Sequence, residues 1–139
     1  MMSAPHFIAL GEKALFQGHS IRVKAGGSSM YPLLRENDRL TIEPITTENI
    51  LKGDILVYKD QSRLIAHRFL KFNQDRIITR GDFSFQADKP FSSEELLGRV
   101  VHVERKGKAM NPKSLKWKIM SMISGMLPAY FLLWVKRMS

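Results

Sequence analysis

The stretch Asp54-Ile55-Leu56-Val57-Tyr58-Lys59, followed four residues later by Leu64-Ile65-Ala66-His67-Arg68-Phe69-Leu70-Lys71-Phe72, decides the fold. Both runs are short and rich in β-branched and aromatic residues, which is the signature of strands and not of helices. Runs of similar texture occupy residues 21–25, 39–43, 76–79 and 97–105. Glu36-Asn37-Asp38, Lys52-Gly53-Asp54 and Arg80-Gly81-Asp82 separate them, each able to supply a tight reversal or a positive φ. Several short strands at this spacing predict a mainly β domain, an antiparallel sandwich or partly open barrel.

Outward from that centre, His6 to Phe16 places Phe7, Ile8, Leu10, Ala14 and Leu15 at roughly helical spacing, with Gly18 as a stop, and predicts a short N-terminal helix that packs on the domain. Glu12 and Lys13 interrupt this stretch, so no signal peptide is evident. After Lys108, Asn111-Pro112 breaks the pattern before a helix-like run over residues 113–138. Its centre, 119–135, carries no charge and reaches roughly 25 Å as a helix, slightly short of a hydrocarbon core, with Gly125 and Pro128 weakening it. The expected division is a catalytic domain over 1–108 and a basic, apolar C-terminal segment over 109–139.

The 139 residues fit one domain. The net charge of +9 is unevenly placed: residues 1–104 hold 14 Lys and Arg against 13 acids, and the remaining +8 lies in 105–139, which has no acid. Lys113, Lys116 and Lys118 precede the apolar run, and Trp117, Tyr130 and Trp134 sit where cations and amphipathic rings meet lipid headgroups. Membrane association is therefore expected of this segment, ahead of docking on a protein. Nucleic acid fits poorly, because the cations do not interleave with stacking aromatics.

No cysteine is present, which excludes disulfides, thiolate metal sites and a cysteine nucleophile. Ser, Thr, His and carboxylates remain as the obvious catalytic groups. Gly26-Gly27-Ser28-Ser29-Met30-Tyr31-Pro32 joins a predicted strand to a Pro-limited turn, a setting that exposes a hydroxyl while backbone amides converge. On bare chemistry either Ser28 or Ser29 serves. A serine needs a base, and the chain offers His6, His19, His67 and His102, of which His67 lies inside a strand-like run. The other three have no carboxylate or histidine at ligand spacing, so no metal and no cofactor is expected.

Gly27-Ser28-Ser29-Met30-Tyr31-Pro32 resembles the Gly-x-Ser-Met-x-Pro box of the type I signal peptidases and the related self-cleaving repressor proteases. Gly53-Asp54-Ile55-Leu56-Val57, Ala66-His67-Arg68, Arg80-Gly81-Asp82 and Leu97-Gly98-Arg99-Val100 are similar, in order, to the family's remaining boxes. The ordered set covers residues 26–103 and is far more specific than any single box. The resemblance implies the family's catalytic-core fold, with Ser29 as nucleophile by the Met30 and Pro32 register and His67 where most bacterial members and the repressor proteases carry lysine. The histidine matches the endoplasmic-reticulum and archaeal type. An imidazole needs no desolvation to be a base near neutrality, and it gains from an acid that fixes its tautomer.

Two acids match the late box, Asp82 and Asp88. By the resemblance Asp88 is favoured as the orienting acid, with Asp82 and Asp54 supporting turns. Gly27 stands where many members carry a hydroxyl, so the N–H groups of Gly27 and Ser29 are the expected oxyanion hole. Met30, Leu33 and Leu34 are the expected wall of a shallow peptide site. The implied activity is a serine endopeptidase that binds an extended signal or leader peptide by strand addition and cleaves it at a membrane, small residues preceding the cut. A non-catalytic adaptor that docks a peptide with the same fold is the alternative. The basic residues before the apolar run are expected to hold the domain on the cytoplasmic side.

Overall fold

In a computed structural model, residues 5–31 and 33–112 are described, with main chain alone for 5–8. The C-terminal segment expected to be an apolar helix, and Pro32, lie outside them. The elements are α1 (Pro5–Phe16), β1 (Ile21–Lys24), β2 (Arg39–Glu43), β3 (Ile55–Asp60), β4 (Arg63–Asn73), β5 (Arg76–Arg80), β6 (Leu96–Arg105) and β7 (Lys108–Met110). A single 3-10 turn, Thr47–Asn49, precedes β3.

The domain is mainly β, and every strand pair is antiparallel. The strands form one sheet in the order β1-β2-β6-β3-β4-β5, with β7 added to β6. β6 is the seam: its C-terminal half pairs with β2 and β7, and its N-terminal residues pair with β3. β3 explains why its sequence is a continuous apolar run. Ile55 and Val57 enter a core with Leu40, Ile42, Leu64, Val100 and Val103, whereas Leu56 and Tyr58 enter a second with Phe69, Ile77 and Phe91. A strand covered on both faces has no polar side to alternate with.

Three details differ from the sequence expectation. β7 carries the sheet to Met110, two residues past the expected boundary, through a turn in which Lys106 and Gly107 both take positive φ. α1 forms, but of its described apolar side chains Leu15 is buried, while Leu10 is 62% and Phe16 94% exposed. Leu33, expected to face a peptide, is 2% exposed and belongs to the first core. Among the described residues no helix is long and apolar enough to cross a membrane.

The turn after β1 is fixed from below. Asp38, 1% exposed, accepts hydrogen bonds from the Arg35 N–H at 2.8 Å and from Arg105 at 2.9 and 2.8 Å, and Arg105 also donates to the Leu33 carbonyl. This pairing raises the Arg105 pKa above its ordinary value. Gly98 marks a tight approach of β6 to β2, since a Cβ there would stand 2.3 Å from the Glu43 carbonyl oxygen and 2.8 Å from Ile42. Gly98→Ala should force β2 and β6 apart, and urea unfolding should show a loss of about 1–3 kcal/mol or more.

Candidate active site

His67 sits in β4 opposite Leu56 of β3, on the strand face that also presents Ile65 and Arg63. Ser29 lies in the turn after β1, closed by the Tyr31 N–H donating to the Ser28 carbonyl at 3.0 Å. Asp88 lies in the loop after β5, where its N–H donates to the Thr79 carbonyl at 2.8 Å. These three elements bring the side chains into one line. Ser29 Oγ is 2.9 Å from His67 Nε2, and His67 Nδ1 is 2.5 Å from Asp88 Oδ2. With Asp88 ionised, Nδ1 carries the proton and Nε2 accepts from the hydroxyl. It is Ser29, and not Ser28, that meets the ring.

Asp88 is held by more than the histidine. Its Oδ2 also accepts from Thr79 Oγ1 at 2.8 Å and from the Tyr58 hydroxyl at 3.2 Å. Tyr58 is itself stacked on Phe91, ring centroids 3.9 Å apart. Burial works against the Asp88 charge, but the hydrogen bonds from His67, Thr79 and Tyr58 outweigh it and hold the carboxyl below its ordinary pKa. Burial, with the Asp88 charge beside it, pushes the Tyr58 hydroxyl well above its ordinary value, so it stays a donor. Neither Thr79 nor Tyr58 was singled out from sequence. The signal available was Thr79 as the only hydroxyl in the apolar run Ile77-Ile78-Thr79.

Asp82 is engaged elsewhere. Its carboxylate takes Arg68 Nη2 at 2.7 Å and Nε at 3.3 Å, and Arg68 Nη1 reaches the Gly53 carbonyl at 2.7 Å. Asp54 accepts from the Leu51 N–H at 2.8 Å and from Arg99 at 3.3 Å, and its carbonyl accepts from the Phe69 N–H. Both acids therefore tie turns to strands. Between them Gly81 lies so close to the reacting groups that a Cβ would stand 2.7 Å from the Ser29 carbonyl oxygen and 3.3 Å from His67 Nε2. The Phe83 N–H donates to that same carbonyl at 2.8 Å.

A cleft of about 600 Å³ opens over Ser29 and His67. Met30 and Leu34 line it and Leu33 does not, although all three side chains are buried in the first core. Gly27, at φ +81°, and Ser29 share its rim, and among the described residues no hydrogen bond engages the N–H of either. One edge of β4 also faces this cleft. Residues 63–68 pair with β3 along one edge, and Arg68 pairs with both Ile55 and Arg80, which puts β5 on the other. β5 covers only residues 68–73, so among the described residues no strand pairs with the second edge of 63–67. His19 is exposed and His102 pairs with Thr41 in the sheet, and no cluster of metal-ligating side chains occurs among the described residues.

Two outcomes follow from this geometry. Asp88 stabilises the fold above the unfolded carboxylate range near 3.9, and that contribution is lost as pH falls through its lower folded value. In urea melts the stability gap between wild type and Asp88→Asn should therefore be widest above about pH 5 and shrink progressively as pH falls below the unfolded carboxylate value. Asp82→Asn leaves the buried Arg68 without its counter-charge and should cost about 3–5 kcal/mol in the same melts. A scan against models of protein families finds none that matches this chain, and a search of curated proteins finds no match.

Proposed function

We propose that the protein is a serine endopeptidase with a catalytic core of the type I signal peptidase kind and a histidine base, cleaving a signal or leader peptide at a membrane. The hydrogen-bonded line from Ser29 through His67 to Asp88 carries this reading. Its 2.9 Å hydroxyl-to-imidazole distance lies within the range a general base needs, and the third member holds the ring by its other nitrogen.

The chemistry is acyl transfer. His67 Nε2 takes the Ser29 proton as Oγ attacks the scissile carbonyl, and Asp88, kept anionic by its three donors, stabilises the imidazolium that forms. The carbonyl oxygen becomes an oxyanion facing the N–H groups of Gly27 and Ser29. His67 then returns the proton to the leaving amine nitrogen, the peptide bond breaks, and an ester remains on Ser29. Water, deprotonated by the same imidazole, releases the acid and restores the hydroxyl. An extended substrate is bound along the uncovered edge of β4, the strand that carries the base. Residues 113–139 supply the attachment to the membrane, with the domain on its cytoplasmic face, as their run of cations before an apolar stretch suggests.

Candidate leader peptides presented to the full chain test the reading. Ser29→Ala and His67→Ala should each lower kcat by roughly 10⁴–10⁶, and Asp88→Asn by roughly 10³–10⁴, with folding intact by circular dichroism. A fluorophosphonate probe should label Ser29 in wild type and not in His67→Ala. Equal turnover by wild type and both alanine variants would refute catalysis by these residues and favour a peptide-docking role.

A further inference from the structure

The cleft has a charge that the body of the protein lacks. Residues 1–104 are close to neutral, yet among the described residues the lining of the cleft includes Arg35 and Arg63 and no Asp or Glu, the nearest acids being Asp88 behind His67 and Asp60 beside Arg63. The two guanidinium groups come from different elements. Arg35 follows the Ser29 turn, its guanidinium carbon 5.3 Å from the centre of the Tyr31 ring, and Arg63 opens β4. Both residues are exposed. Asp60 approaches Arg63 at 3.9 Å, but both side chains are more than half exposed, so solvent screens that pair and it does little to hold the arginine.

Position along the strand turns this charge into a register. Arg63, Ile65 and His67 share one face of β4, and four residues at about 3.3 Å each put Arg63 some 13 Å from the base. A peptide lying along the free edge of 63–67 advances at the same rate per residue. Its reacting carbonyl is fixed beside Ser29 and His67, so the side chains that reach Arg63 are about three to five residues away. Arginine binds carboxylates with a planar fork of donors, and the one acid paired with Arg63, Asp60, is an exposed and screened competitor that a peptide carboxylate can replace.

We propose that the cleft selects peptides carrying an Asp or Glu three to five residues from the scissile bond, bound by Arg63 and Arg35. The proposal rests on the peptidase reading for the position of the bond that is cut, and binding tests it apart from cleavage. The probes are two fluorescein-labelled pools of ten-residue peptides built from Ala, Gly, Ser and Leu, one with a single Glu per peptide and the other with Gln in its place. Anisotropy is measured against the full chain carrying Ser29→Ala, which keeps the basic segment 105–139 in every arm. The Glu pool should bind about tenfold more tightly than the Gln pool. Arg35→Gln with Arg63→Gln should abolish the difference, and Arg35→Lys with Arg63→Lys should retain most of it. Equal binding of the two pools overturns the proposal, and so does a preference that survives the double glutamine variant, because the C-terminal cations would then be its source. Digestion of the Glu pool by wild type and mass spectrometry of the products reads the peptidase separately. No cut at all removes the peptidase reading, whereas cuts scattered without regard to the Glu position overturn the acidic register alone.

Discussion

The buried pair between Arg68 and Asp82 is the interaction on which the site depends. Arg68 is the residue after His67, so it points to the opposite side of β4 from the imidazole. From there it binds the carboxylate of the Gly-Asp turn and the Gly53 carbonyl, while the Asp82 N–H meets the Met30 sulfur at 3.3 Å. Three segments distant in sequence are thereby clamped around one strand. Ser29 and the glycine packed against it lie beside those same anchor points: Ser29 precedes Met30, and Gly81 precedes Asp82. Charge buried on one face thus sets distances on the other, where a hydroxyl and a ring must meet without strain of their own.

The order of elements was legible because the turn chemistry was local. The apolar runs and the Gly-Asp reversals lie within a few residues of the strand ends they announce, and β2 was read to the residue. β7 escaped because Lys108-Ala109-Met110 has no β-branched residue and owes its strand conformation to the neighbouring β6. The placement of Leu33 escaped for a related reason. Side by side with Leu34 after the serine, it reads as another wall residue, and the backbone there is tied by Arg105, 72 residues later. A tertiary restraint from the last third of the chain leaves no mark on that local pattern.

The site itself divides along the same line. Ser29 and His67 belong to short motifs whose neighbours fix their register. The choice between Asp82 and Asp88 required knowing which strand each loop would cross. Asp88 ends beside His67 because its own N–H is held to Thr79 of β5 and its carboxylate to Tyr58 of β3. Two hydroxyl groups from separate strands thus decide which of two similar acids serves the ring. Tyr58 also belongs to the second core: one side of its ring stacks on Phe91 while the hydroxyl reaches the carboxylate.

The absence of a side chain at residue 81 has a genetic meaning. No codon for another amino acid encodes anything smaller than a methyl group at that position, so every missense change there inserts matter into the gap between a backbone carbonyl and an imidazole. The mutable target for disrupting the proposed centre is therefore larger than its set of hydrogen-bonded side chains. A lineage could lose the Ser29–His67 contact while both residues stayed in its gene unaltered.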